Sequence, residues 1–115
     1  LGICRGMQMI GFINNTDLKQ VSNHVSINHS IISVNNLKQI RNSFHNYSLK
    51  NCPEGFEVLF YSEDGEIESI RHKTDRIFGI MWHPEREKKF NKFEKLKNLD
   101  SARSDKIIKI GTNCF

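Results

Sequence analysis

The chain has 115 residues, 37% hydrophobic and 26% charged, a balance that gives one small globular domain and excludes a disordered polypeptide. Its formal charge of +4 is unevenly placed: residues 1–84 carry eight basic and eight acidic side chains and residues 85–115 carry nine and five, so the excess lies in a lysine-rich C-terminal stretch and argues against a nucleic-acid-binding face on the folded body. No apolar run reaches the ~20 residues of a membrane span, no secretory leader is legible, and three cysteines without a CxxC fit a reduced, cytoplasmic setting better than a disulfide framework or a zinc motif.

Leu1-Gly2-Ile3 reads as the end of an apolar strand. The chain starts inside this strand without a methionine, so further strands are expected upstream. Cys4-Arg5-Gly6 reads as a sharp turn, and Met7 to Ile13 as a buried helix weakened at Gly11. Asn14 to Asp17 is a loop cluster. His24 to Val34 partly alternates and predicts one or two short strands. Phe56–Tyr61 and Ile67–Arg71 flank Glu63-Asp64-Gly65, the signature of a hairpin. Ile77–Trp82 predicts a buried strand, stopped at His83-Pro84 because proline has no amide hydrogen for a sheet. From Glu85 a helix is expected, with Phe90, Phe93 and Leu96 on one face. Beyond Leu99 the pattern supports at most a short strand at Lys106–Ile110.

The turn Gly2-Ile3-Cys4-Arg5-Gly6 is a G-x-C-x-G, the cysteine form of the G-x-S-x-G nucleophile elbow. The residues two before and two after the nucleophile must be small, because a side chain there collides with neighbouring backbone. The turn sets the sulfur at a helix N-terminus, where amides and dipole favour the thiolate. The Arg5 amide then points at a developing oxyanion. Read alone, Cys4 is equally well explained as a core cysteine at a glycine-containing strand end.

Trp82-His83-Pro84-Glu85 supplies what a thiol nucleophile needs: a base, and a carboxylate to orient it. A buried strand delivers His83 to its end, and Pro84 fixes the backbone so that Glu85 faces the same imidazole. Alone, the pair is more readily a surface histidine followed by a helix-start glutamate. Both motifs in one chain, in this order, favour catalysis.

LGICRGMQ at 1–8 and GIMWHPE at 79–85 resemble the nucleophile segment and the closing strand of the class I (triad) glutamine amidotransferases. Between them, Asn42-Ser43-Phe44-His45 resembles the family's N-S-[YF]-H segment, and Asp64-Gly65-Glu66-Ile67-Glu68 its D-G-x-I-E hairpin. Arg5 after the cysteine is closer to the free-standing γ-glutamyl hydrolases, the peptidase C26 branch. Met81 stands where glutamine is commoner. The resemblance covers residues 1–88 and implies an α/β fold: a flavodoxin-like, mainly parallel sheet with an antiparallel extension. Residues 1–99 would be its C-terminal portion, and 100–115 match nothing in the family.

The resemblance also implies the roles. Cys4 attacks a γ-glutamyl carbonyl to form a thioester, His83 moves the proton, and Glu85 orients His83. Arg5, Gln8, Ser43, Phe44 and His45 form the substrate-binding set: Gln8 and the Ser43-Phe44 backbone hold the amino-acid end, and His45 lines the pocket. The expected reaction is hydrolysis of a γ-glutamyl amide, a small-molecule substrate, without cofactor, metal, nucleic acid or membrane. Two other readings stay open: a glutaminase feeding ammonia to a synthetase partner, or an inactive remnant acting in interaction or self-association.

The remaining polar residues are set aside. His24 and His29 have no Cys, Asp or Glu at ligand spacing and read as polar strand or loop residues. His72 reads as exposed, Glu66 and Glu68 as a solvated hairpin face, and Cys52 and Cys114 as incidental.

Overall fold

The computed structural model describes residues 1–86. The expected helix through Phe90, Phe93 and Leu96, the strand at Lys106–Ile110, and Cys114 lie outside the described residues.

The chain opens with strand β1 (Gly2–Ile3) and helix α1 (Arg5–Ile13). The helix buries Gly6, Met7, Gln8 and Gly11 against the sheet. Gly11 is needed rather than merely tolerated: a Cβ there would stand 2.2 Å from Leu49 Cδ2. At the helix end Asn14 donates both its backbone N–H, at 3.2 Å, and its side-chain amide, at 2.8 Å, to the Ile10 carbonyl. Asn15 then turns the chain at φ 62°.

Six strands form the main sheet. They are β1, β3 (Val25–Ser33), β4 (Lys38–Phe44), β6 (Phe56–Ser62), β7 (Ile67–His72) and β8 (Phe78–Ile80), in the order β1-β8-β7-β6-β3-β4. β2 (Leu18–Gln20) and β5 (Tyr47–Leu49) pair separately as an antiparallel ribbon. β1 and β8 run parallel, with Gly2 opposite Gly79 and Ile3 opposite Ile80, and every other pairing is antiparallel. The expected α/β architecture is therefore present, in these residues as one parallel pair carrying a helix and continued by antiparallel strands.

The predicted hairpin is β6–β7. Its turn passes through Gly65 at φ 88°, a value that glycine adopts at no steric cost. The expected strand after His24 is a single nine-residue strand, β3, which forms a second hairpin with β4. Ile3, Met7, Ile31, Ile70, Ile80, Met81 and Trp82 make up the centre of the core. Among the described residues no helix is long and apolar enough to cross a membrane.

Three readings of polar residues need correction or sharpening here. Glu68 is not on a solvated face: it is fully buried, because β7 lies inside the sheet between β6 and β8 and is covered on both sides. His24, read as a polar strand or loop residue, is 1% exposed. His72, read as exposed, is half-buried beside Phe56.

Candidate functional site

Cys4 sits between β1 and α1 with φ 52° and ψ −99°, a conformation that non-glycine residues avoid and that nucleophile elbows impose. The geometry depends on Gly2: a Cβ there would lie 2.7 Å from the Gly6 carbonyl carbon and 2.8 Å from its oxygen. The Cys4 N–H donates to the Ile80 carbonyl at 2.7 Å, which ties the turn to β8. Cys4 is fully buried, and Arg5 begins the helix half-buried.

His83 follows the end of β8, the strand parallel to β1. The two residues therefore emerge from the carboxyl ends of adjacent parallel strands, where open α/β sheets place their sites. His83 is fully buried and its Nδ1 lies 2.8 Å from Glu85 Oε1. Pro84–Arg86 form a single 3-10 turn that brings Glu85 back to the ring. Burial holds the His83 pKa below its ordinary 6.5, and Glu85 pulls it upward without overcoming that burial. The imidazole is consequently neutral at pH 7 and able to accept a proton.

The backbone of His83 is clamped from β4. Asn42 Nδ2 donates to the His83 carbonyl at 2.8 Å, and the His83 N–H donates to Asn42 Oδ1 at 2.8 Å. Phe44 meets the His83 ring edge-on at 6.0 Å between centroids, and the Arg86 guanidinium lies 4.4 Å over Phe44. Phe44 is thus brought to the Cys4–His83–Glu85 end of the sheet.

The other expected substrate residues are engaged with backbone. Gln8 donates to the Tyr47 carbonyl at 3.0 Å, joining α1 to β5. The Ser43 hydroxyl donates to the His24 carbonyl at 2.7 Å. His45 is buried, its Nδ1 3.2 Å from the same Tyr47 carbonyl and its Nε2 turned toward Glu68.

Sequence reasoning missed the clamp by Asn42 and the surroundings of Glu68. Asn42 was within reach, as the first residue of the N-S-F-H segment. The surroundings of Glu68 were not, because its neighbours come from separate strands.

Cys4 stands on a strained strand-to-helix turn after β1, and the His83–Glu85 pair follows β8, the strand parallel to β1. The chain belongs to the class I glutamine amidotransferase family, whose description "Glutamine amidotransferase class-I" matches residues 1–99. It is 41% identical over 97 residues to the γ-glutamyl-CDP-amidate hydrolase of Campylobacter jejuni, covering 84% of this chain and 48% of that protein. It is 34% identical over 93 residues to the glutamine-hydrolyzing GMP synthase subunit of Methanosphaera stadtmanae, covering 74% of this chain and 50% of that one. In structure it resembles a GMP synthase-type protein of Thermoplasma acidophilum, with a TM-score of 0.73 at 18% identity over 87% of this chain and 56% of the other. That last likeness shows the fold. The chain spans about half the length of the curated relatives it matches.

Proposed function

We propose that the protein hydrolyses a γ-glutamyl amide through a Cys4 thioester, with His83 as base and acid and Glu85 as its orienting carboxylate. The observation that carries this reading is Cys4 at φ 52°, hydrogen-bonded to β8, the strand that ends at the His83–Glu85 pair.

With Nδ1 facing Glu85, Nε2 is the nitrogen that exchanges a proton with the sulfur. The thiolate adds to the γ-carbonyl, and the Arg5 amide at the start of α1 stabilises the oxyanion. The tetrahedral adduct collapses, the C–N bond breaks, and His83 gives its proton to the leaving amine. Water, deprotonated by His83, then cleaves the thioester and releases glutamate. Phe44, at the same end of the sheet, would flank the glutamyl group. The roles of Gln8, Ser43 and His45 are supportive in this reading: their side chains fix the segments whose backbone faces the substrate.

The leaving group we favour is an amine larger than ammonia, on a substrate of the γ-glutamyl-CDP-amidate kind, because the relative with that activity is more similar and matches more of the chain than the GMP synthase relative does. The second reading, glutaminase for a synthetase partner, is favoured by the GMP synthase relatives. A panel of γ-glutamyl amides including glutamine, offered to the full-length protein with glutamate release as readout, separates the two. Cys4→Ala is expected to abolish release from every substrate; a variant as active as wild type would overturn the mechanism. Turnover of glutamine alone, rising when a synthetase is added, would replace the first reading with the second.

A further inference from the structure

Apart from the Cys4 site, the structure buries a group of side chains whose polar atoms converge on one another. Glu68 on β7 is fully buried, and among the described residues no lysine or arginine pairs with it. Three imidazole nitrogens stand around its Oε1: His24 Nδ1 at 3.4 Å, His29 Nε2 at 3.5 Å and His45 Nε2 at 3.5 Å. None of these four atoms makes a well-formed hydrogen bond, and Glu68 Oε2 makes none either.

The far sides of two rings fix what the near sides can offer. His45 Nδ1 faces the Tyr47 carbonyl at 3.2 Å, and a carbonyl only accepts, so Nδ1 carries the hydrogen. His24 Nε2 lies 2.7 Å from Asp64 Oδ2, a carboxylate oxygen, which accepts. His24 Nε2 therefore carries the hydrogen on that ring. In their neutral forms both rings point a lone pair at the carboxylate oxygen of Glu68. Lone pairs crowded around a buried anion are unfavourable unless a ring takes up a proton or a metal cation lies among them.

We propose that His24 Nδ1, His45 Nε2 and Glu68 Oε1 bind a divalent first-row transition ion of the zinc class; His29 Nε2, 3.5 Å from Glu68 Oε1 but outside that close-set group, would have to move in to serve as a fourth ligand. The spacing fits. An ion bound tetrahedrally at ~2.0–2.1 Å from each ligand sets the ligand atoms ~3.4 Å apart. The atoms of His24, His45 and Glu68 all lie within 4.8 Å of one another. The donor set of imidazole and carboxylate suits zinc and excludes calcium or magnesium, which take oxygen. The outer contacts are those of a metal site: a carboxylate behind His24 and a backbone carbonyl behind His45, each fixing a tautomer. The ion would be structural. It would join β3, β7 and the segment after β4, and it takes no part in the thiol chemistry, so the inference stands whether or not the proposed reaction is correct.

The test strips the purified full-length protein with a chelator and reloads it with zinc(II) or cobalt(II). One ion per chain by elemental analysis is expected, with visible cobalt bands of a tetrahedral nitrogen–oxygen site and no thiolate charge-transfer band. Zinc should raise the melting temperature of wild type and leave that of Glu68→Gln and His24→Gln unchanged. Should those variants fail to fold, Asp64→Asn, which touches only the outer contact of His24, should weaken zinc binding about 10–100-fold. A stripped protein that takes up no stoichiometric ion would overturn the proposal, and the cluster would then be a histidinium–carboxylate network. Full retention of the ion by Glu68→Gln, His24→Gln and Asp64→Asn would overturn it equally, as would a thiolate spectrum.

Discussion

Asn42 holds the backbone of His83 at both of its polar atoms, through two hydrogen bonds of 2.8 Å between residues 41 positions apart. The clamp fixes where the ring stands, in the way that Glu85 fixes how it turns. Asn42→Ala leaves a buried N–H and a buried carbonyl without these partners. It is expected to cost about 2–4 kcal/mol of stability and to lower kcat more than it raises KM. Urea unfolding and steady-state kinetics on the same preparation test both halves.

The acid limb of the pH–rate profile should lie below pH 6.5. His83 must be neutral to act as base, and burial lowers its pKa while Glu85 opposes that change. Glu85→Gln removes the opposing carboxylate, so the limb should move further toward acid as the plateau rate falls about 10²-fold. A limb that moves toward alkali would show that Glu85 does not act on His83 in this way.

Gly2→Ala should be among the most damaging single-methyl changes in the chain. The added carbon meets the Gly6 backbone at 2.7 and 2.8 Å, and a backbone held inside a strained turn cannot yield. A loss of about 3 kcal/mol or more is expected, together with loss of glutamate release. Gly65→Ala, at φ 88° but with open space around it, is the comparison: it should be strained but leave the rate unchanged.

The metal-free protein should lose stability in alkali. The Glu68 carboxylate against its Nδ1, opposed by burial and aided by Asp64, raises the His24 pKa to about 9 from 6.5. A group whose pKa is raised on folding contributes its stability fully below the unfolded value and loses it as pH climbs through the folded one. The melting temperature of chelated protein should therefore fall between pH 6.5 and 9. Asp64→Asn should start lower and fall less. Added zinc should flatten the curve, because a metal-bound nitrogen no longer takes up a proton.

How much of this was legible in the sequence depends on how local each feature is. The elbow could be read because a sharp strand-to-helix turn needs small residues at fixed offsets from Cys4, and Gly2 meets the predicted collision. The β6–β7 hairpin could be read because Asp64-Gly65 marks its own turn. β4, and the β2–β5 ribbon, could not: Lys38-Gln39-Ile40-Arg41 lacks a clean alternation, and three-residue strands carry almost no periodic signal. The burial of Glu68 was hidden for a different reason. A glutamate beside a turn looks solvated unless the neighbours of its strand are known, and those neighbours are set by tertiary pairing.

β8 is three residues long, and two sites lean on it. Its Ile80 carbonyl receives the amide of Cys4, and the residue after it, Met81, donates its own amide to the carbonyl of Glu68 at 2.8 Å. Gly79 admits no side chain, since a Cβ would stand 2.8 Å from Met7. The strand is therefore pinned from three sides and has little freedom to drift. Where descendants of this sequence trade the histidine–glutamate cluster for apolar packing, they must exchange it as a unit. They must also leave the path of β8 in place, because a shift of this strand on the Glu68 side would reach the sulfur on the other.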